Sequence, residues 1–126
     1  MAFNELIRSL GNEKAKALAQ GGAAKIQKQH DKGRLTARER VARLVDEGSF
    51  MELGALCTSD VPGMEDKTPA DGLVIGFGSV NGRLVGVFAN DFTVLAGSSA
   101  TINNKKMGIF KSQLYEYGYP MIWLGE

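Results

Sequence analysis

The chain has 126 residues, 44% of them hydrophobic, with 15 basic and 14 acidic side chains and a formal net charge of +1. A single domain of this length buries roughly two-thirds of its surface on folding, and the balanced charge argues against a nucleic-acid or membrane-surface partner. The lone Cys57 excludes an internal disulfide and suits a reducing compartment, no apolar run approaches the ~20 residues of a membrane span, and residues 1–10 do not read as a signal peptide. The expected location is the cytoplasm, or an organelle matrix if a transit peptide is removed.

In chain order, residues 4–20 read as an exposed helix with a thin apolar stripe of Leu6, Ile7, Leu10 and Leu18, broken by Gly21-Gly22. A second helix over 23–31 carries Ile26 and His30 at i and i+4. A third opens with Thr36 as N-cap and Glu39 three residues on, the reciprocal capping box, and Gly48 sits where a left-handed residue would close it. Val41, Leu44 and Val45 form its buried stripe, while Arg38, Arg40 and Arg43 point outward, solvated or paired with Asp46 and Glu47. Ser49–Leu53 starts a short strand, and the polar stretch 58–71 reads as a flexible surface loop. Leu73–Val80 and Arg83–Ala89 are strands joined by Asn81-Gly82, a strong hairpin signal. Residues 99–117 form a further helix with Ile102, Phe110, Leu114 and Tyr117 available to face inward. The apolar run Tyr119–Leu124 suits a strand covered on both faces.

Most motifs read as structural. Gly76-Phe77-Gly78 lacks the third glycine and the following helix of a dinucleotide fingerprint, and fits twist or close packing within a strand. His30, the only histidine, lies far from Ser98 and Ser99 and makes no catalytic triad; one Cys and one His cannot fill a zinc site. Arg34, Arg38 and Arg40 suit a solvated helix face better than a phosphate grip, and Tyr115, Tyr117, Tyr119 and Trp123 suit core and interface better than a ligand cage. The stretch Asn90–Ser99 differs from these. A strand that empties into a small, glycine-containing loop at a helix start offers N–H groups, here of residues 98–100, and a helix dipole to an anionic or acyl ligand.

The run from Gly21-Gly22 through Lys25-Ile26, Gln29-His30 and Gly33-Arg34-Leu35-Thr36-Ala37-Arg38-Glu39-Arg40 is followed by Asp46-Glu47-Gly48-Ser49-Phe50-Met51-Glu52. Then come Ala70-Asp71-Gly72, Asn81-Gly82-Arg83 and Asp91-Phe92-Thr93-Val94, in order. The whole resembles the biotin-dependent acyl-CoA carboxyltransferases, the β-subunit family of propionyl-CoA, methylcrotonyl-CoA and related carboxylases. Where that family reads D-F-T-V-x-G-G-S-x-G, this chain has Ala96 for the first glycine and Ser99-Ala100 after Gly97-Ser98; Thr101–Lys106 lacks the family's usual histidine. These departures bear on the acyl substrate. Pro120–Glu126 aligns with the stretch that in the family leads into S-G-G-A-R, whose glycine amides stabilise a thioester enolate.

The resemblance implies an α/β, crotonase-like ββα superhelix, of which this chain is the N-terminal portion, with a helical region over 4–48 and the start of the core over 49–126. It implies transfer of CO₂ from carboxybiotin to the α-carbon of an acyl-CoA through an enolate, with no catalytic side chain in these residues and no metal. Phe92, Thr93, Val94, Ala96, Gly97, Ser98 and Ser99 would line the acyl-CoA site. Biotin would arrive on a biotin carboxyl carrier protein or domain, alongside a biotin carboxylase subunit, and the subunit would form a homo-oligomer. Without the oxyanion glycines and the C-terminal half, the 126 residues alone are expected to be inactive. Two other readings stay open: a non-catalytic assembly module on the same scaffold, and a biotin-dependent acyl-CoA decarboxylase subunit.

Overall fold

The β-branched runs flanking Asn81-Gly82 fold back on each other because both turn residues take positive φ, 51° and 80°, the twist a two-residue hairpin needs. A computed structural model describes residues 2–126. Its helices are α1 (Phe3–Leu18), α2 (Ala23–Asp31), α3 (Ala37–Leu44) and α4 (Thr101–Tyr117), and its strands are β1 (Met51–Leu53), β2 (Leu73–Val80), β3 (Arg83–Asn90) and β4 (Met121–Leu124). The four strands form one sheet in sequence order. β1, β2 and β3 are antiparallel neighbours, and β4 runs parallel to β3 after the α4 crossover.

Alternation divides the sheet between two helices. Val74, Val85, Val87 and Ala89 pack with Ala37 and Val41 of α3, while Leu73, Ile75 and Phe88 pack with Phe110 and Leu114 of α4. The strand glycines serve close approach. A Cβ on Gly76 would lie 2.2 Å from the Met51 carbonyl oxygen, and one on Gly86 2.3 Å from Leu114 Cδ1. Both residues let a neighbour sit directly on the sheet.

α1 is an exposed helix, as its sequence predicts: Leu6, Ile7, Leu10 and Leu18 are all exposed, and the helix buries Ala17 where it leans on the Pro69–Gly72 turn. Several other expectations need correction. The third helix ends at Leu44, well before Gly48, because Asp46 is drawn to the hairpin. Its N–H donates to the Ser79 carbonyl at 2.7 Å, and its carboxylate accepts from Asn81 N and Gly82 N at 3.0 and 2.8 Å. Asp46 is therefore unavailable to the helix arginines, two of which point inward. Arg38 grips Glu52 of β1 with both terminal nitrogens, at 2.6 and 2.9 Å. Arg40 gathers the chain at the ends of β3 and β4, donating to Asn90 O (3.0 Å), Gly125 O (2.8 Å) and the Glu126 carboxylate (3.0 Å). Arg43 remains exposed.

The stretch 58–71 is not a surface loop throughout: Ser59, Thr68, Ala70 and Asp71 are buried. Thr68 Oγ1 accepts from Ser59 N and donates to Met64 O, both at 2.8 Å. Tyr117 faces solvent, since α4 closes at a left-handed Gly118 and its inward stripe is Asn103, Lys106, Phe110 and Leu114. β4 is covered on one side only. Ile122 and Leu124 pack toward α3, whereas Met121 and Trp123 are about half exposed.

Candidate functional site at the carboxyl ends of β3 and β4

Two left-handed turns meet at one end of the sheet. Leu73 pairs with Asn90, so the turn before β2 and the loop after β3 are neighbours. In the first, Ala70, Asp71 and Gly72 have φ of 54°, 45° and 69°; in the second, Leu95, Ala96 and Gly97 have 46°, 54° and 69°. Such values cost a non-glycine residue about 1–2 kcal/mol each, so surrounding structure must hold them. Since β3 and β4 are parallel, this is also the carboxyl end of both, where open α/β sheets place ligands.

The first turn is clamped from α4. Lys106 Nζ donates to Ala70 O and Leu73 O, both at 2.6 Å. The Asp71 carboxylate accepts from Asn103 N at 2.7 Å, and Asn103 Nδ2 returns a bond to Asp71 O at 2.9 Å. Asp71 thereby caps the N-terminus of α4, which has no cap from its own N-cap residue Ala100. Burial pushes the Lys106 ammonium down to about 8, opposed by the nearby Cys57, Glu52 and Asp71.

The second turn rests on a polar base. Buried Asp91 accepts from the backbone N–H of Thr93 at 2.9 Å and from its hydroxyl, and Thr93 Oγ1 in turn accepts from Gly21 N at 2.9 Å. A Cβ on Gly21 would lie 1.9 Å from the Thr93 carbonyl oxygen, so only glycine lets the α1–α2 link rest on this loop. Above that base the turn is held by Gly97 N to Val94 O (3.0 Å) and Ser98 N to Leu95 O (3.1 Å). Asn90 lies beneath Gly97 and accepts a 2.7 Å bond from the Trp123 indole, tying the loop region to β4.

The seven residues singled out from sequence thus divide. Thr93 and Val94 are buried, the latter against Gly72, whereas Ala96, Ser98 and Ser99 are exposed and Phe92 and Gly97 half-buried. The N–H of Ser98 is spent inside the turn, which corrects the expectation that it is free, and α4 begins only at Thr101. Ser98 and Ser99 lie far from His30 in sequence, and His30 bonds Glu39 at 2.8 Å. The Thr36 N–H and then His30 hold the Glu39 carboxyl below its usual range.

Two clefts flank the α1–α2 pair. One, of about 240 Å³, lies between α2 and the loop and is lined by Lys25, Lys28, Gln29 and Lys32 on one side and Phe92, Leu95 and Ala96 on the other. The second, of about 380 Å³, lies between α1 and residues 55–70. There Lys16 pairs with Glu13 at 3.1 Å and Asp66 at 3.5 Å. Among the described residues no group of three or more His, Cys, Asp or Glu is gathered to hold a metal ion, and no helix is long and apolar enough to cross a membrane.

Sequence reasoning passed over Lys106, Asp71 and Gln29. For Lys106 the signal was present: positions 103, 106, 110 and 114 make one helical stripe, and a charge in an apolar stripe needs a buried partner.

Known proteins share this arrangement along the whole chain. The 12S transcarboxylase core, solved with methylmalonyl-coenzyme A and methylmalonic acid bound, superposes with a TM-score of 0.88 at 32% identity, over 98% of this chain and 25% of that one. The carboxyl transferase domain family matches residues 28–126. The propionyl-CoA carboxylase beta chain of Cereibacter sphaeroides is 41% identical over 98% of this chain, and the methylmalonyl-CoA decarboxylase subunit alpha of Veillonella parvula 38% identical over 97%. The chain spans about a quarter of the length of these relatives, 25% in each case. It belongs to the carboxyl transferase family and has the crotonase-like α/β fold of its members, as the motif resemblance implied.

Proposed function

We propose that this chain is the N-terminal portion of the carboxyltransferase subunit of a biotin-dependent acyl-CoA carboxylase acting on propionyl-CoA or a similar short acyl-CoA. The observation that carries the reading is the superposition, over nearly the whole chain, on a transcarboxylase core solved with methylmalonyl-coenzyme A bound. Residues 49–126 begin the crotonase-like core, and the 92–99 loop at the carboxyl ends of β3 and β4 lines the acyl-CoA site. Carboxybiotin, delivered by a biotin carboxyl carrier, supplies the CO₂. The residues of this chain are fitted to the thioester side: a short left-handed turn, exposed small residues at 96, 98 and 99, and the Asn90–Trp123 pair beneath.

Such chemistry depends on fixed N–H donors aimed at the enolate oxygen, a term of roughly 3–4 kcal/mol per donor. The part of this chain is to seat the thioester so that those donors meet it. The similarity to a methylmalonyl-CoA decarboxylase subunit supports a second reading, in which the same site runs toward CO₂ loss.

The test is an assay of the complete subunit with its biotin carrier and a panel of acyl-CoAs. Carboxylation of propionyl-CoA supports the first reading. Turnover only of malonyl-type thioesters, with CO₂ released, replaces it with the second. No biotin-dependent turnover with any thioester overturns both.

A further inference from the structure

α3 sends two arginines to opposite edges of the sheet. Arg38 and Arg40 stand two residues apart, about 200° around the helix. Arg38 pairs with Glu52 on β1, one edge strand, and Arg40 reaches the ends of β3 and β4 at the other. Their surroundings are otherwise closely matched. The side chains are 16% and 19% exposed, each faces one carboxylate, and each has a buried Nε without a partner among the described residues. A buried ion pair gives little stability beyond what a well-packed apolar side chain would, so the two differ in what each holds in place.

The parallel pairing of β3 with β4 ends at Ala89 and Leu124. Beyond that pair the two chains part, one into the 92–99 loop and the other through Gly125. Arg40 spans the parting. Its Nη2 donates to Asn90 O at 3.0 Å and its Nη1 to Gly125 O at 2.8 Å, with Leu124 O at 3.4 Å and the Glu126 carboxylate 3.0 Å from Nη2. A guanidinium suits this task because its donors are fixed in one planar fork, whereas a lysine ammonium is a point charge on a flexible stem.

Asn90 carries the bridge to the open turn. Its carbonyl is held by Arg40 and its Oδ1 by the Trp123 indole, while its Cβ lies 3.8 Å from where a Cβ on Gly97 would stand. Inside the turn, Gly97 N and Ser98 N are held by Val94 O and Leu95 O, independently of Arg40.

Resting on the acyl-CoA reading above, we infer that Arg40 is a positioning residue that fixes the distance between the 92–99 loop and the chain leaving β4. It acts through the backbone of Asn90 and Gly125. The turn that seats the thioester keeps its own hydrogen bonds without Arg40, whereas alignment of the seated thioester with the rest of the site depends on the bridge. Loss of the bridge therefore falls on kcat more than on KM.

The test compares the complete wild-type subunit, supplied with its biotin carrier, with Arg40→Met, Arg40→Lys and Arg38→Met. Arg40→Met is expected to lower kcat on the order of 10–100-fold, with the KM for acyl-CoA within about threefold of wild type. Arg40→Lys, which keeps the charge beside Glu126 but not the fork, should not restore kcat. Arg38→Met should lose comparable thermal stability and keep kcat within about twofold. Rescue of kcat by lysine, an equal loss of kcat in Arg38→Met, or an unchanged kcat in Arg40→Met each overturns the assignment.

Hydrogen exchange in the same proteins reads the bridge without turnover. In Arg40→Met, exchange should quicken together over residues 90–91 and 124–126, on the order of tenfold, with 51–53 unchanged; Arg38→Met should show the reverse. Where Arg40→Met does not fold, Arg40→Lys carries both measurements. Unchanged exchange over 90–91 and 124–126 overturns the bridge. The expected pattern in a subunit that turns over no acyl-CoA supports the bridge and overturns the acyl-CoA reading alone.

Discussion

The turns Ala70–Gly72 and Leu95–Gly97 share one backbone, three successive residues of positive φ ending in glycine, yet their surroundings are opposite. The first is buried and clamped by Lys106, Asp71 and Asn103. The second is largely exposed above a polar base and keeps its upper surface open. Strain has two uses here. In one turn it is locked away so that β2 and α4 start from fixed points; in the other it holds a loop in a single shape facing a cleft. The clamp serves the loop as well, because Gly72 touches Val94 and its carbonyl accepts from Asp91 N at 2.9 Å.

Breaking the clamp should have the largest effect. Lys106→Met leaves Ala70 O and Leu73 O without their donor, a loss of about 2–4 kcal/mol for two buried carbonyls. In the complete subunit, hydrogen exchange should show lost protection at Leu73–Ile75 and at Asn103. Protection within about 0.5 kcal/mol of wild type, the range of an ordinary surface substitution, would show that the clamp is dispensable. A pH series isolates the charge. Folded Lys106 releases its proton near 8 and the unfolded chain near 10.5, so between those values the unfolded state holds more protons. Local stability therefore rises with pH in that window, by on the order of 1–3 kcal/mol, as the cost of the buried charge is lifted. The neutral amine still has two N–H donors for two carbonyls. Lys106→Met should show no such rise, and identical pH profiles for the two proteins would remove Lys106 as its source.

Next in size is Gly21→Ala. Its Cβ cannot coexist with the Thr93 carbonyl at 1.9 Å, so the α1–α2 link must lift from the loop and the 2.9 Å bond to Thr93 Oγ1 is lost. A local loss of about 1–3 kcal/mol is expected, with a raised KM for acyl-CoA. A KM equal to wild type would separate the loop from the helical region before it. Smaller in stability but specific to the open turn is Gly97→Val. There is room for a side chain, the nearest atom being Asn90 Cβ at 3.8 Å, so the penalty is conformational, roughly 1–2 kcal/mol at φ +69°. The KM for acyl-CoA should rise while exchange at the Ala70–Gly72 turn stays unchanged; an unchanged KM counts against the loop as part of the acyl-CoA site.

The difference between the turns also marks what the sequence could tell. The hairpin, the Thr36–Glu39 capping box and α4 are set by neighbours within a few residues, and all three were legible. The Phe92–Ser99 loop was legible as a loop from the spacing of strand, glycine and helix. Its left-handed turn was not, because Leu95 and Ala96 are residues that local preference keeps out of that region. Contacts between distant residues were invisible for the same reason. Arg38 meets Glu52, and Lys106 meets Ala70, only once the sheet brings them together. The arginines were read outward from helix geometry, whereas the sheet edge draws two of the three inward. Leu6, Ile7 and Leu10 make the converse point: their thin stripe on a helix read as exposed does lie exposed.

The smallest effect gives the sharpest comparison, because its sign should differ between the turns. Ala96→Gly relieves about 1–2 kcal/mol of left-handed strain against about 0.5–1 kcal/mol of added unfolded-state freedom. Ala96 is exposed, so no burial is lost, and a net gain of about 0–1.5 kcal/mol follows. At Ala70, 3% exposed, the same change relieves the same strain but also removes a buried methyl worth about 0.8 kcal/mol and opens space beneath the clamp. Ala70→Gly should thus be neutral to destabilising. Exchange protection at Gly97 and Ser98 in Ala96→Gly, set beside protection at Gly72 and Leu73 in Ala70→Gly, measures the two directly. Equal gains at both sites would mean that packing around the first turn contributes nothing beyond its hydrogen bonds. A loss at Ala96 would mean that its methyl group, in a loop shaped for a ligand, is held by contacts stronger than the strain it carries.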